Sequence, residues 1–246
     1  MTSPKAEALF QGRIAEDYQF LRHICPEAAE ISESVGRLVG DLPLGHRSKT
    51  PEILEIGTGT GVTTHFLLTH RPDAKLTGID NSETMLNQAR VALKPHIERG
   101  VLELHEIDAL NYLKSQPDAQ FDGIASAYVL HNFLDDYRTR VLAEIQRTLK
   151  PGGFFINGDR YTLDDPKQQL SGVQHEVRHW FKVFKALDRL DLLEEWIVHL
   201  LSDESEEHQM PLAKALDVMS SLGFSDVNVL YRKGANALVQ GFKPWP

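Results

Sequence analysis

The residues best suited to chemistry begin at Glu55–Gly61, which reads EIGTGTG and follows the apolar pair Ile53-Leu54. Glycine stands at every second position, Gly57, Gly59 and Gly61, where positive φ and close backbone approach to a ligand cost least. The apolar run before it predicts a buried strand and Val62–Thr69 predicts a helix, so the glycines sit at a strand-to-helix turn. Backbone N–H groups at such a helix start favour a polar or anionic ligand. The dinucleotide fingerprint G-x-G-x-x-G would need glycine at position 62, which is Val62. Two carboxylates follow at intervals that suit an adenosine-containing ligand. Asp80, in GIDNSETM, ends the second predicted strand and is placed to accept from both ribose hydroxyls. Its competing role is to cap the next helix, which Asn81 or Ser82 does equally well. Asp108, in EIDAL, follows the third strand and is placed to accept the adenine amine, with Ala109 and Leu110 flanking the ring. It also suits a simple turn cap.

The elements that must position these groups alternate. Strands are predicted at Glu52–Ile56, Lys75–Ile79, Val101–Glu106, Gly123–Ala127 and Phe154–Asp159, and helices at Val62–Thr69, Ser82–Lys94, Leu110–Ser115 and Asp136–Leu149. This order implies right-handed βαβ units and an α/β fold with a mostly parallel sheet, whose ligand site lies beyond the carboxyl ends of the strands. Before it, Phe10, Ile14, Tyr18 and Leu21, then Ile31, Val35, Leu38 and Val39, mark two amphipathic helices, the second closing near Gly40. LKPGGFFINGD reads as a helix end, a Pro-Gly-Gly turn and the fifth strand. From Pro166 to Ser202 an apolar stripe of period near 3.6 runs through Leu170, Phe181, Trp196 and Leu200, broken near Asp188. The acidic run Asp203–Glu207 reads as a solvated loop. Leu212–Leu222 is a helix stopped by Gly223, and Ser225–Tyr231 and Ala235–Phe242 alternate like antiparallel strands joined at Lys233-Gly234.

The 246 residues suit one α/β domain with an accessory element. A formal charge of −9, from 26 basic and 35 acidic residues, argues against a broad nucleic-acid footprint. The single cysteine, Cys25, excludes an internal disulfide framework and fits a reducing compartment. No apolar run approaches the roughly 20 residues needed to span a bilayer, and the N-terminus lacks a signal-peptide core. A cytoplasmic protein with no membrane association is expected.

Taken together, the glycine loop, Asp80, Asp108, the strand FDGIASAYVLHNF and the LKPGG turn resemble the class I S-adenosylmethionine (SAM) methyltransferases across about residues 50–160. That resemblance implies a Rossmann-like, doubly wound seven-stranded sheet with a reversed C-terminal strand. It further implies an N-terminal helical lid (1–50), a SAM-binding core (51–160), a helical insertion on the acceptor side or dimer seam (161–210) and a final helix and strand pair (211–246). Carried over, Glu55, Gly57, Gly59 and Gly61 hold the methionine part, Asp80 the ribose and Asp108 the adenine. Their neighbours Thr58, Asn81, Met85, Ala109, Leu110, Ala127 and Tyr128 are expected on the cofactor too, with Tyr18 and Arg13 closing from the lid. A narrower similarity, through FQGRIAEDYQFL, CPEAAEISESVGRLV, IDNSETM, HEVRHWFK and LGFSDVNVLYR, is to the carboxy-SAM synthase group, which serves tRNA wobble-uridine modification. That group relies on an arginine in the helix before the GF pair, where this chain has Leu216-Asp217-Val218-Met219. Ordinary SAM is therefore the expected cofactor and a small-molecule O or N acceptor the expected partner, with a homodimer compatible with the insertion. The alternatives are a SAM-binding protein without transferase activity and a tRNA-modification enzyme. Candidate catalytic groups are His131, Arg160, Tyr161, His175 and His179. His175 and His179 share a helix face but have no third ligand, so no metal is expected.

Overall fold

The structure is a computed structural model that describes residues 25–42 and 50–246. The predicted helix through Phe10 and Tyr18, with Arg13, lies outside those residues. The first described element is α1 (Pro26–Asp41), which has proline in its first turn, where a missing N–H costs nothing. The core then alternates β1 (Glu52–Ile56), α2 (Val62–His70), β2 (Lys75–Asp80), α3 (Glu83–Ala92), α4 (Lys94–Glu98), β3 (Leu102–Glu106), α5 (Ala109–Ser115), β4 (Phe121–Ala127), a 3-10 turn (Leu130–Asn132), α6 (Asp135–Thr148) and β5 (Leu149–Arg160). Two long helices, α7 (Pro166–Ala186) and α8 (Leu190–Asp203), precede α9 (Leu212–Ser221), β6 (Ser225–Lys233) and β7 (Asn236–Phe242).

The seven strands form one sheet in the order β3-β2-β1-β4-β5-β7-β6. β1 pairs in parallel with both β2 and β4, and β7 runs antiparallel to β5 and β6. Strand order reverses direction between β1 and β4, which opens a crevice at their carboxyl ends. β1 and β4 are buried almost throughout, as expected of parallel strands covered on both faces. One apolar cluster packs α5, α6 and α9 on one face of the sheet; a second joins Ile31, Val35 and Val39 of α1 to Leu67, Leu76 and Ile156. The Rossmann-like, mostly parallel sheet with a reversed strand is thus borne out. β7 alone runs against the others.

Several local readings need correction. The predicted Ser82–Lys94 helix is two helices meeting at Leu93. LKPGG is no separate turn, because β5 already pairs at Leu149 and absorbs the irregularity as a register shift. The break at Asp188 is real, with φ +55° between α7 and α8. The acidic run is not wholly solvated: Asp203 is buried, and Glu204 binds Arg160 at 3.0 Å and both its oxygens accept from Gln169 Nε2.

Two features of this core carry measurable consequences. A Cβ at Gly36 of α1 would stand 2.5 Å from Phe66 Cβ and 2.7 Å from its carbonyl carbon, so α1 and α2 meet at backbone distance. Gly36→Ala is expected to destabilise the fold by about 1–3 kcal/mol through overpacking; an unchanged urea midpoint contradicts this close docking. Glu55 of β1 is fully buried, with Oε2 accepting from Thr64 at 2.6 Å and Oε1 unpartnered. Burial pushes its carboxyl from 4.5 to about 8, against the Thr64 hydrogen bond. The neutral acid is the favoured folded form, so its stabilisation is full below the unfolded value and is lost as pH rises through about 8. Thermal midpoints should fall between pH 6 and pH 9 in the native chain and fall less in Glu55→Gln; parallel pH profiles refute the assignment.

Candidate cofactor pocket

The turn after β1 is shaped by the strand beside it. Gly57 and Thr58 N–H both donate to Ile79 O, at 2.8 and 3.0 Å, and Gly61 N–H donates to Thr58 O. Gly59 N–H donates to Asp80 Oδ2 at 2.7 Å. Three of the loop's glycine amides are therefore occupied within the protein, and the anion-cradling expected of this turn gives way to a different use of glycine. All three glycines have positive φ, and a Cβ at Gly57 would lie 2.0 Å from Val129 Cγ2. The loop is glycine-rich because its backbone is left-handed and packs tightly against Val129, Met85 and Leu93.

That cavity, of about 380 Å3, lies over the carboxyl ends of β1, β2, β3 and β4. From β1 and its turn come Gly57, Thr58 and Gly59; from β2, Asp80 and Asn81; from α3, Met85; after β3, Ile107, Asp108 and Ala109; after β4, Ala127, Tyr128, Val129, Asn132 and Phe133. Cys25, just before α1, and Ala28, Ala29 and Ser32 of α1 complete it. Of the expected cofactor set, Glu55, Gly61 and Leu110 are not on this wall. Glu55 is sealed beneath the loop, Gly61 caps α2, and Leu110 packs into the apolar cluster under α5. Tyr18 lies outside the described residues.

The Asp80 carboxylate bridges two turns, accepting from Gly59 N–H through one oxygen and from Ser82 N–H at 2.9 Å through the other. Ser82 supplies the helix cap, its Oγ accepting from Met85 N–H. Each carboxylate oxygen of Asp80 keeps acceptor capacity for one more donor. Burial raises its carboxyl above the ordinary value, opposed by those amides. Asp108 does cap α5: Oδ1 accepts from Asn111 N–H at 3.0 Å and from Tyr137 OH at 2.9 Å, and Oδ2 accepts from the Asn111 side chain. It lines the cavity as well, so the capping and ligand-facing readings coexist. Tyr128 holds φ +56°, a strained value for a bulky side chain, fixed by its N–H donating to Gly158 O and its hydroxyl to Asn236 Oδ1.

The cavity's polar pattern fits a cofactor that carries a diol at one end and a cation at the other. Asp80 offers two anchored oxygens, and Asn132 Oδ1 is buried without a hydrogen-bond partner. The Cys25 thiol, pushed up to about 11 chiefly by burial, stays neutral and is no nucleophile.

The catalytic candidates fare differently. His131 lies in the turn between wall residues but points away from the cavity, its Nδ1–H donating to Asp159 Oδ1 at 2.5 Å. Burial lowers its basicity, yet Asp159 and Asp203 outweigh that and raise its pKa. Arg160 is held by Glu176 and Glu204, clamping β5 to α7 and the end of α8. Tyr161 is buried and accepts from Asn157 Nδ2 at 2.8 Å, in the packed core. His175 and His179 are exposed on the outer face of α7. None of the five lines the cavity. Sequence reasoning passed over Asp159, His199 and Asp203, although polar residues at 199 and 203 interrupt an apolar helix face.

Residues 53–153 match the family described as a methyltransferase domain. A demethylmenaquinone methyltransferase of Symbiobacterium thermophilum is 32% identical over 154 residues, 57% of this chain and 59% of that protein. A carboxy-S-adenosyl-L-methionine synthase of Campylobacter fetus is 22% identical over 200 residues, 80% of this chain and 79% of its own. The chain spans about half the length of the first relatives it matches. Among solved structures, an O-methyltransferase family protein from Burkholderia thailandensis superposes with TM-score 0.62 at 18% identity, covering 96% of this chain and 63% of that one. No helix among the described residues is long and apolar enough to cross a membrane. The segment that carries the glycine turn and Asp80 is thus similar to a methyltransferase domain, and the sheet around it superposes on that of solved methyltransferases.

Proposed function

We propose that this chain moves a methyl group from SAM to an oxygen or nitrogen of a small-molecule acceptor. The observation that carries the reading is Asp80, its two oxygens fixed by the Gly59 and Ser82 amides at the wall of the cavity. Two hydroxyls on adjacent carbons match that arrangement. Bound there, SAM supplies an electrophilic methyl group on a sulfonium sulfur. The chain's own part is placement and dryness. Asp80 and Asp108 hold the adenosine end, while Ala28, Val129 and Phe133 exclude water from the wall. Tyr128 and Asn132 stand at the methionine end, where the buried Asn132 oxygen suits the cofactor's ammonium group. No imidazole among the described residues lines the cavity, and no general base is assigned.

That last feature also supports a second reading, a SAM-binding protein without turnover. Formation of S-adenosylhomocysteine with any acceptor removes it. Ordinary SAM is proposed over a carboxylated form because α9 presents Leu216, Asp217, Val218 and Met219, and Met219 is buried in the core. The net acidity likewise favours a small acceptor over tRNA. The long helices α7 and α8 are proposed to set acceptor choice or to pack a second copy. Calorimetric titration should show SAM bound by the native chain and bound more than tenfold more weakly by Asp80→Ala, about 1.4 kcal/mol or more. Equal affinities reject the placement of the ribose at Asp80.

A further inference from the structure

Behind the cavity wall lies a buried polar cluster that methyl transfer does not require. His131 in the 3-10 turn, and His199 and Asp203 one helical turn apart on α8, are 7%, 5% and 8% exposed. One donor atom from each, a ring nitrogen of either histidine and an Asp203 oxygen, falls within 4.8 Å of the others. Asp203 Oδ2 stands 3.9 Å from His131 Nε2 and 3.6 Å from His199 Nε2, and Asp203 Oδ1 is buried with no hydrogen-bond partner. Those separations are too long for direct hydrogen bonds. They are a few tenths of an ångström wider than the spacing of adjacent donors around a metal whose bonds are about 2.0–2.2 Å.

We propose that His131, His199 and Asp203 bind one divalent transition-metal ion of the zinc or iron(II) class, tying the helical insertion to the turn behind the cofactor pocket.

The donor set of two imidazoles and one carboxylate suits such ions and leaves coordination positions open for water or a ligand oxygen. Asp159 supplies the outer carboxylate such sites use: accepting from His131 Nδ1–H, it fixes the tautomer and turns the Nε2 lone pair toward Asp203. Asp159 is itself anchored by Leu130 N–H and Arg160 N–H. The Arg160 guanidinium is held by Glu176 and Glu204. The surrounding Trp180, Trp196 and Leu200 form a separate apolar cluster between α7 and α8, which supplies the dry shell. His131 is flanked in sequence by the wall residues Val129 and Asn132, so an ion on its Nε2 would hold that wall in place.

The test uses the full chain, stripped by chelator and titrated with Co2+ alone. The expected result is one equivalent bound, a visible d–d absorption and a higher thermal midpoint. Asp203→Asn and His199→Ala should each weaken uptake at least tenfold, while His175→Ala and His179→Ala on the exposed face of α7 leave it unchanged. No uptake by the folded native chain, or unchanged uptake by Asp203→Asn, overturns the proposal. X-ray absorption on the native Co2+ form gives a reading that needs no variant: two imidazoles bound to cobalt support the site, and none overturns it. The outcome is independent of whether the chain transfers methyl groups.

Discussion

The hydrogen bond from Gly59 N–H to the Asp80 carboxylate joins the ends of two neighbouring parallel strands, and the pocket takes its form from it. β1 and β2 run in register through Ile56 and Ile79, so their carboxyl ends arrive side by side. The Ile79 carbonyl then accepts two loop amides and Asp80 accepts a third, which leaves the glycine turn with little freedom. Because the same carboxylate also takes the Ser82 amide, the start of α3 is set by the same group. One side chain thus fixes two turns and still offers acceptor capacity to the cavity.

This arrangement has an electrostatic cost that the chain partly avoids. Glu55 and Asp80 lie close together near the strand ends, and two buried carboxylates there would repel. Burial pushes the Glu55 carboxyl up to about 8, which favours its neutral form near neutral pH and relieves that repulsion.

Much of the core was legible in sequence because its signals are local. A buried parallel strand reads as an apolar run, and Gly57 and Asp80 mark strand ends whose register needs no distant partner. The glycines are legible as a tight turn but not in what they touch: their amides bond within the protein, and a Cβ at Gly57 or Gly61 would meet Val129 or Leu93. Less was legible where function depends on contacts between remote segments. His131 follows the fourth strand and is a catalytic candidate by position, yet its partners Asp159 and Asp203 sit 28 and 72 positions away and draw it behind the wall. Arg160 likewise turns toward Glu176 and Glu204, a pairing no spacing rule reveals. Asp203 was hidden inside an acidic run whose other members, apart from Glu204, are exposed.

The central claim is that the strand-end cavity holds SAM with its ribose on Asp80. The most direct measurement is a crystal structure of the chain with S-adenosylhomocysteine. The account predicts both ribose hydroxyls within hydrogen-bonding distance of the Asp80 oxygens and the adenine beside Ile107 and Ala109. A cofactor seated elsewhere, or lying in this cavity with its adenine at Asn132, contradicts it.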